Sequence, residues 1–170
     1  SRDITLNRVQ MHYMHGLGIV SQYTRNITMD KVKCMPREGS GRLLAASADM
    51  MHFSGCSGKV KIIGCYFAGA QDDPINVHGT NLRAVEKINT RTFVKASTME
   101  RFASARVVDV KRLTDRIVQV TFNRDIPGEL ELNHDCVENI SCTPEVEIRH
   151  CYFTRTSTRG TLMTTPRKVV

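Results

Sequence analysis

The sequence predicts an all-β protein, a right-handed parallel β-helix into which a small antiparallel β domain is inserted. Three observations favour this fold class. The chain repeats its own pattern at about 23 residues, a period typical of solenoid proteins. Each repeat contains short segments in which apolar and polar residues alternate. A central stretch interrupts the repeat and has a different pattern.

The repeat is visible in two pairs of segments. Residues 26–32 (NITMDKV) reproduce the pattern of residues 3–9 (DITLNRV), and residues 146–153 match residues 60–67 at the apolar positions, a cysteine and a Tyr-Phe pair. A unit this short cannot bury its apolar face alone, so successive units must stack. We therefore expect parallel strands with equivalent residues above one another, and Cys65 and Cys151 in one interior ladder.

Alternation within a repeat predicts strands rather than helices. Ile4 and Leu6 are expected on one face, with Thr5 and Asn7 on the other. No apolar stripe at helical spacing is sustained anywhere in the chain. Each repeat is thus predicted to contain two or three short strands joined by polar turns.

The interruption predicts an inserted domain. Residues 91–95, 105–110 and 116–122 form longer alternating segments separated by charged turns, which is typical of an antiparallel meander with one wet face. We expect β-helix repeats with an acidic cluster in residues 1–80, a β-barrel-like segment in 81–138, and a return to the β-helix in 139–170. Both ends of the chain resemble interruptions of a longer repeat protein.

Composition argues against two classes of function. The net charge of +7 is spread along the chain, whereas a nucleic-acid footprint usually concentrates in one patch, so no nucleic-acid partner is expected. No apolar run approaches the roughly 18–20 residues that cross a membrane. The six cysteines show no metal-binding spacing, and we expect free thiols that pack as small hydrophobic side chains.

Three acidic residues are the candidate catalytic groups. Asp72 and Asp73 follow Asp49 at about one repeat length, so a solenoid would bring all three onto one surface. Glycoside hydrolysis uses such a cluster, because one carboxylic acid protonates the leaving oxygen while another carboxylate activates water or attacks the sugar. Crowded carboxylates also favour retention of a proton on one of them.

Other interpretations of these residues stay open. Aspartate is common in turns, where it accepts hydrogen bonds from backbone donors, and the Asp-Asp-Pro sequence suits a turn. Calcium binding by the acidic trio is a further alternative, although the ligands are few. Cys56 follows His52 closely enough to suggest a cysteine nucleophile, but nothing else in the sequence supports that chemistry.

Three further polar residues are candidate substrate ligands: His52, Asn76 and His78. His52 lies three residues after Asp49, and His78 follows the acidic pair within one strand length. An imidazole in such a place can bond a sugar hydroxyl or orient a carboxylate. A histidine satisfied within a turn is the competing interpretation.

Several of these segments together resemble glycoside hydrolase family 110. They are residues 49–58, residues 65–69, the string DDPINVHGT at 72–80, and the tail from residue 151 to residue 169. Members of this family are bacterial α-1,3-galactosidases that remove terminal galactose from blood group B structures. The string at 72–80 is the most specific part of the resemblance.

The resemblance implies a pectin-lyase-like solenoid, and inverting hydrolysis without a metal or other cofactor. Asp49, Asp72 and Asp73 would be the catalytic residues. The general acid would be one of the adjacent pair, and the other would activate water together with Asp49. The implied substrate is an oligosaccharide or glycoconjugate with a terminal α-galactose, and the implied location is extracytoplasmic. A homodimer of the full-length protein is left open.

Two competing functions are kept. A polygalacturonase-like hydrolase of acidic polysaccharide would have a similar arrangement of three aspartates, and the net positive charge supports it. The chain lacks the Arg-x-Lys motif with which those enzymes bind carboxylates, and this favours a neutral sugar. The second alternative is a β-helix module that binds glycans without hydrolysing them.

Overall fold

The computed structural model describes residues 1–96, 105–126 and 131–170. Regular structure in these ranges is β-strand, apart from a 3-10 helix at Ile140–Cys142, so the prediction of an all-β protein is confirmed. In chain order the strands are β1 (Arg2–Asn7), β2 (Gln10–Met11), β3 (Ile19–Gln22), β4 (Arg25–Asp30), β5 (Lys33–Cys34), β6 (Met51–Ser54), β7 (Ser57–Ile63), β8 (Tyr66–Ala68), β9 (Ile75–His78), β10 (Asn81–Lys87), β11 (Thr92–Ala96), β12 (Val107–Arg112), β13 (Val118–Phe122), β14 (Cys136–Glu138), β15 (Glu145–Arg149), β16 (Tyr152–Thr154) and β17 (Thr161–Thr164).

The chain forms two compact units. The first consists of Ser1–Gly79 and Ile140–Val170, and the second of Thr80–Asn139. Every residue of the first unit is described. All six candidate site residues lie in this first unit.

Three parallel four-stranded sheets make up the first unit. Sheet 1 has the order β1-β4-β7-β15, sheet 2 the order β2-β5-β8-β16, and sheet 3 the order β3-β6-β9-β17. The chain therefore visits sheets 1, 2 and 3 in the same order four times, and equivalent strands of successive repeats pair side by side. This order follows directly from the sequence repeat, since each repeat offers the same backbone edges to the next.

Strand register follows the repeat seen in the sequence. Ile4 pairs with Ile27 in sheet 1, and Val146 pairs with Val60. Both predicted alignments are confirmed. The repeats are not equal in length, however, because Ile27 pairs with Val60. The extra residues of the second repeat lie between β5 and β6, in a segment that holds no strand.

The core lies between the three sheets. Its largest fully buried side chains are Ile27, Met29, Val32, Met50, Met51, Phe53, Val60, Ile62, Phe67 and Ile75. Stacking continues from repeat to repeat: the rings of Phe67 and Phe153 are nearly parallel, with centroids 5.3 Å apart. Burial of one such side chain contributes about 1.5–3 kcal/mol, so the stacked interior is the main source of stability.

The turn between sheets 1 and 2 has the same backbone conformation in all four repeats. Arg8, Lys31, Gly64 and His150 occupy this position, with φ of 53°, 54°, 64° and 55°. Only one of the four is glycine, although this left-handed region favours glycine. The other three residues have a Cβ and are strained in this conformation. Pairing of the strands on both sides of the turn keeps the backbone in it.

The second unit contains a five-stranded antiparallel sheet with the order β12-β13-β11-β10-β14. The antiparallel pairing predicted for this part of the chain is found wherever the structure describes it; residues 97–104 and 127–130 lie outside the described residues. Its small apolar cluster contains Val120, Phe122 and Ile126.

The cysteines are free thiols, as the sequence predicted. Four of them are buried: Cys34, Cys56, Cys65 and Cys136. Cys151 lies next to Cys65, since Tyr152 pairs with Tyr66 on the following strand and its amide donates to the Cys65 carbonyl. The expected interior ladder is therefore present.

In the part of the chain that the structure describes, no helix has the length and apolar character needed to cross a membrane.

Candidate active site

The candidate site lies along sheet 3, where side chains alternate between the core and the outside. On β6, Met51 and Phe53 are completely buried, whereas His52 and Ser54 are half-buried on the opposite face. This is the period-2 alternation of an extended strand. One face of the strand therefore anchors it in the core while the other presents polar groups.

The neighbouring strand β9 has the same pattern. Ile75 and Val77 are buried, and Asn76 and His78 point to the other face. Asn76 pairs with His52 in the register of sheet 3. All three predicted substrate ligands therefore lie on one face of two adjacent strands.

The three predicted catalytic aspartates come together just before these strands begin. One carboxylate oxygen from each of Asp49, Asp72 and Asp73 lies within 4.8 Å of the other two. Pairing of Met51 with Ile75 brings the two preceding segments level with each other. Asp49 and Asp73 are 4% and 1% exposed, whereas Asp72 is exposed. The cluster thus has two buried members and one that faces outward.

Asp73 is held by the last repeat of the unit. Thr158 donates its hydroxyl to Oδ1 at 2.7 Å, and Nε of Arg159 lies 2.9 Å from Oδ1 and 3.2 Å from Oδ2. A buried carboxylate needs such partners, because an unpaired charge is costly away from water. Asp73 is therefore a fixed, ion-paired carboxylate.

Thr158 and Arg159 were missed in the sequence analysis. The signal for them was present, because Val60 pairs with Val146 and the same offset carries Asp72 and Asp73 onto Thr158 and Arg159. When residues 69–80 are aligned with residues 155–166, no equivalent position carries the same residue. The repeat can be recognised from sequence only where equivalent positions carry similar residues.

Asp49 is held from two sides through a single oxygen. Nδ1 of His52 lies 2.6 Å from Oδ2, and Nδ2 of Asn76 donates to the same oxygen at 3.0 Å. Oδ1 of Asn76 is buried and has no hydrogen-bond partner among the described residues. Asn76 therefore orients Asp49 and retains an acceptor that the protein does not satisfy.

The two histidines contact each other. Their Nε2 atoms are 3.0 Å apart, and Nδ1 of His78 lies 2.7 Å from the carbonyl oxygen of Gly79. The rings meet edge to face, with centroids 4.9 Å apart. Both ring nitrogens of each histidine are thus engaged by protein atoms, an arrangement suited to orienting neighbours rather than to bonding a sugar hydroxyl.

Asp72 differs from the other two acids. Among the described residues, its carboxylate has no hydrogen-bond or ion-pair partner. An exposed carboxyl group next to two fixed ones can approach a ligand and exchange a proton with it. The arrangement therefore offers one exposed acid and two oriented carboxylates.

The same three oxygens are close enough together to hold a single cation. Calcium takes about six to eight oxygen ligands, however, and the groups around Asp49 and Asp73 are hydrogen-bond donors, namely Thr158, Arg159, Asn76 and the Nδ1 of His52. A guanidinium cannot ligate a metal, and in this arrangement the Thr158 hydroxyl and the Asn76 amide direct their hydrogens at the carboxylates. These surroundings are better suited to carboxylates that are hydrogen-bonded to protein groups than to a calcium site.

Cys56 is a poor candidate nucleophile. It is completely buried, and its Sγ donates to the carbonyl of Ser21 at 3.3 Å. Burial raises the pKa of this thiol, which keeps it protonated and unreactive at neutral pH. A cysteine–histidine mechanism is therefore not favoured.

Comparison with known proteins places these observations in a family. Residues 84–137 match the family model of the GLAA-B β-barrel domain II. Along its whole length the chain is 70% identical to an α-1,3-galactosidase A of Bacteroides fragilis, and over 99% of its length it is 36% identical to one of Bacteroides thetaiotaomicron. An α-1,3-galactosidase A of Akkermansia muciniphila is 34% identical over the whole chain.

An all-β scaffold with three carboxylates gathered beside one sheet is the kind of site that glycoside hydrolases use. The comparisons make this specific: the chain belongs to glycoside hydrolase family 110, the family of the α-1,3-galactosidases. The chain spans about a third of the length of the curated relatives it matches (32% of the Bacteroides fragilis protein and 34% of the Bacteroides thetaiotaomicron protein).

Proposed function

We propose that the full-length protein carrying this chain is an exo-acting α-galactosidase that hydrolyses terminal α-1,3-linked galactose from glycans. The observation that carries the proposal is the convergence of Asp49, Asp72 and Asp73, with oxygens within 4.8 Å, next to one face of sheet 3. The names of the relatives support galactose as the sugar. They also favour it over an acidic polysaccharide and over a module that binds without hydrolysis.

The proposal includes the scaffold. The three parallel sheets would be the faces of a right-handed parallel β-helix formed by residues 1–80 and 139–170, and residues 81–138 would be the inserted β-barrel-like domain. The repeated visit to sheets 1, 2 and 3 supports this assignment. In such a solenoid each repeat adds one row of side chains to the site, which explains how the acids of different repeats become neighbours.

Asp72 is assigned as the general acid. A general acid must carry a proton and reach the leaving oxygen of the glycosidic bond. Asp73 is ion-paired with Arg159 and is therefore held as a carboxylate. Asp72 is exposed and lacks a cationic partner among the described residues, so it is the member of the adjacent pair that suits the acid role.

Asp49 and Asp73 are assigned to water activation, and the mechanism to inversion. The oxygen separation is shorter than the roughly 6.5–9.5 Å typical of inverting enzymes, and taken alone it would equally suit a covalent mechanism. Burial favours inversion here: at 4% and 1% exposure, these carboxylates can be reached by a water molecule more easily than by a sugar ring. No metal or other cofactor is part of the proposed mechanism.

Substrate contacts and location complete the proposal. Asn76, His52 and His78 would line the substrate site from the same face of sheet 3. The substrate would be an oligosaccharide or glycoconjugate with a terminal α-galactose, including blood group B structures. The protein would act outside the cytoplasm.

The test uses the full-length protein with a terminal α-1,3-galactoside, and with galacturonan as the competing substrate. We expect release of galactose from the first and no cleavage of the second. Proton NMR of the first-formed product should show β-galactose, since inversion changes the anomer; α-galactose as the first product would reject inversion. Release of uronic acid instead of galactose would reject the proposed substrate.

Replacement of each acid tests the site itself. Asp49→Asn, Asp72→Asn and Asp73→Asn should each lower kcat at least a hundredfold, because general acid or base catalysis typically contributes 10²–10⁴-fold. Asp30→Asn is the matched control, since this aspartate lies on sheet 1 and its carboxylate bonds only Asn7 among the described residues. Full activity in any two of the three site variants would reject the site.

A further inference from the structure

The site contains a hydrogen-bonded chain of four groups: the Asp49 carboxylate, two imidazoles and a backbone carbonyl. Asp49 Oδ2 lies 2.6 Å from Nδ1 of His52, the two Nε2 atoms are 3.0 Å apart, and Nδ1 of His78 lies 2.7 Å from the Gly79 oxygen. His52 is on β6 and His78 is on β9, so the chain of bonds crosses from one repeat to the next.

The backbone carbonyl fixes where His78 carries a hydrogen, and we assign the direction of the remaining bonds for a neutral His78. A carbonyl oxygen only accepts, so Nδ1 of His78 carries a hydrogen. A neutral His78 then has a bare Nε2, which accepts a hydrogen bond from Nε2 of His52. His52 is thereby required to hold its Nε2 proton, and its Nδ1 faces Asp49.

Counting protons shows why the two histidines need each other. A carboxylate and two neutral imidazoles, each protonated at Nδ1, would leave two lone pairs opposed at 3.0 Å. One additional proton removes this repulsion and makes the chain of three side chains neutral overall. Because Asp49 must be a carboxylate to activate water, the proposal places this proton on His52, whose Nε2 donates to the acceptor that His78 supplies and whose Nδ1 donates to Asp49.

We propose that His78 is a positioning residue that acts on Asp49 through His52. By accepting from His52, it fixes the imidazole in the orientation that holds Asp49 Oδ2, with Asn76 as the second donor. Oδ1 of Asp49 is then the oxygen directed at the attacking water. This inference rests on the proposed function, and it gives His52 and His78 a role that needs no contact with the sugar.

The test compares two replacements of His78 in the full-length protein. His78→Phe keeps an aromatic ring and removes the acceptor, so kcat should fall about tenfold to a hundredfold while KM changes less than about twofold. His78→Gln restores an acceptor and should recover most of the lost rate. Thr164→Val is the matched control, because Thr164 pairs with His78 in sheet 3 and bonds only a backbone carbonyl.

A double-variant cycle tests whether His78 affects kcat through Asp49. If His78 acts through Asp49, adding His78→Phe to Asp49→Asn should lower kcat little further. Independent, multiplying losses would overturn the proposal, as would an unchanged kcat in a His78→Phe variant with the wild-type melting temperature.

Imidazole ¹⁵N NMR separates this proposal from the proposed function and does not depend on a variant that folds. In the wild-type protein, His78 should be protonated at Nδ1, and a hydrogen-bonded proton should couple the two Nε2 atoms. The Asp72→Asn variant should keep these signals. A His78 protonated only at Nε2 would overturn the inference even if the enzyme releases galactose; an inactive protein with the expected signals would overturn the proposed function alone.

Discussion

Arg159 and Asp73 form an ion pair that joins the last repeat of the first unit to the one before it. Nε of Arg159 lies 2.9 Å from Oδ1 of Asp73, and the Asp73 side chain is almost completely buried. The arginine side chain is 57% exposed, so the pair is a buried carboxylate covered by a cation from outside. Such a pair stabilises the buried carboxylate as an anion.

Removal of the cation should reduce both stability and activity. Arg159→Met would leave Asp73 buried with Thr158 as its remaining hydrogen-bond donor. We expect the free energy of unfolding to fall by about 1–3 kcal/mol, between the values for exposed and for buried pairs, because one partner is solvated. Denaturant unfolding measures this change, and hydrolysis assays with the full-length protein should show a lower kcat.

Arg155→Met is the matched control for this experiment. Arg155 is exposed, lies in the same segment and has no ion pair with a described residue. Its replacement should change stability by less than about 0.5 kcal/mol. Equal effects of the two substitutions would show that the contact with Asp73 is not what matters at position 159.

The repeat and the acid cluster could be predicted from the sequence because both depend on strand register. Contacts that depend on side-chain rotation, and the length of the loops, could not. Pairing of Ile4 with Ile27 could be read from apolar periodicity, because parallel stacking forces like residues together. The contact between His52 and His78 could not, since it depends on side-chain rotation. The longer second repeat was also missed, because a loop between strands leaves the register intact whatever its length.

Two glycines with the same backbone conformation should respond differently to alanine. Gly39 has φ of 72°, and a Cβ there meets nothing within 4 Å; Gly69 has φ of 77°, but a Cβ would lie 2.5 Å from the backbone oxygen of Leu43. We expect Gly39→Ala to cost about 1 kcal/mol from strain alone, and Gly69→Ala about 2–4 kcal/mol. Thermal unfolding of the two variants decides the comparison, and equal losses would contradict the clash.

The stacked aromatic core should be sensitive to truncation. Phe67 is completely buried against Phe153, so Phe67→Ala should lower the free energy of unfolding by about 3–5 kcal/mol through the cavity it leaves. Tyr152 also stacks on its neighbour Tyr66 but is 58% exposed. Tyr152→Ala should cost clearly less in the same denaturation assay; a similar cost would mean that stacking, rather than burial, supplies the stability.

Thiol reactivity should single out Cys151. A hydrogen bond from Cys65 stabilises the Cys151 thiolate and lowers its pKa to about 7, whereas burial raises the pKa of Cys34 to about 12. Iodoacetamide attacks thiolates, so alkylation of Cys151 in the folded protein should rise through pH 7 and level off above it. Peptide mass spectrometry measures the rate at each residue, and Cys34 should stay unmodified until unfolding.

Replacement of Cys65 tests whether its hydrogen bond lowers the pKa of Cys151. Cys65→Ala removes the hydrogen bond, so the pKa of Cys151 should rise and its alkylation at pH 7 should slow. The hydrogen bond that Cys65 donates to Cys151 raises the pKa of Cys65, and burial raises it further, so Cys65 should react slowly throughout. A rate for Cys151 with its midpoint near about pH 8.5, the usual thiol value, would contradict the interaction.

Chelation tests the proposal that hydrolysis requires no metal ion. The donors around Asp49 and Asp73 leave few oxygens for a cation, so EDTA should leave the hydrolysis rate of the full-length protein unchanged. Loss of activity that calcium restores would identify the three carboxylates as a metal site. Assays with and without magnesium or calcium added back after dialysis complete the comparison.

Alternation along sheet 3 separates the side chains that pack into the core from those that lie on the face of the candidate site. Val20, His52, Asn76 and Leu162 form one continuous row across the outer face, while their immediate neighbours on the same strands point into the core. Val20 and Leu162, at the two ends of this row, can therefore be exchanged without altering the core faces of their strands or the contacts that His52 and Asn76 make with Asp49.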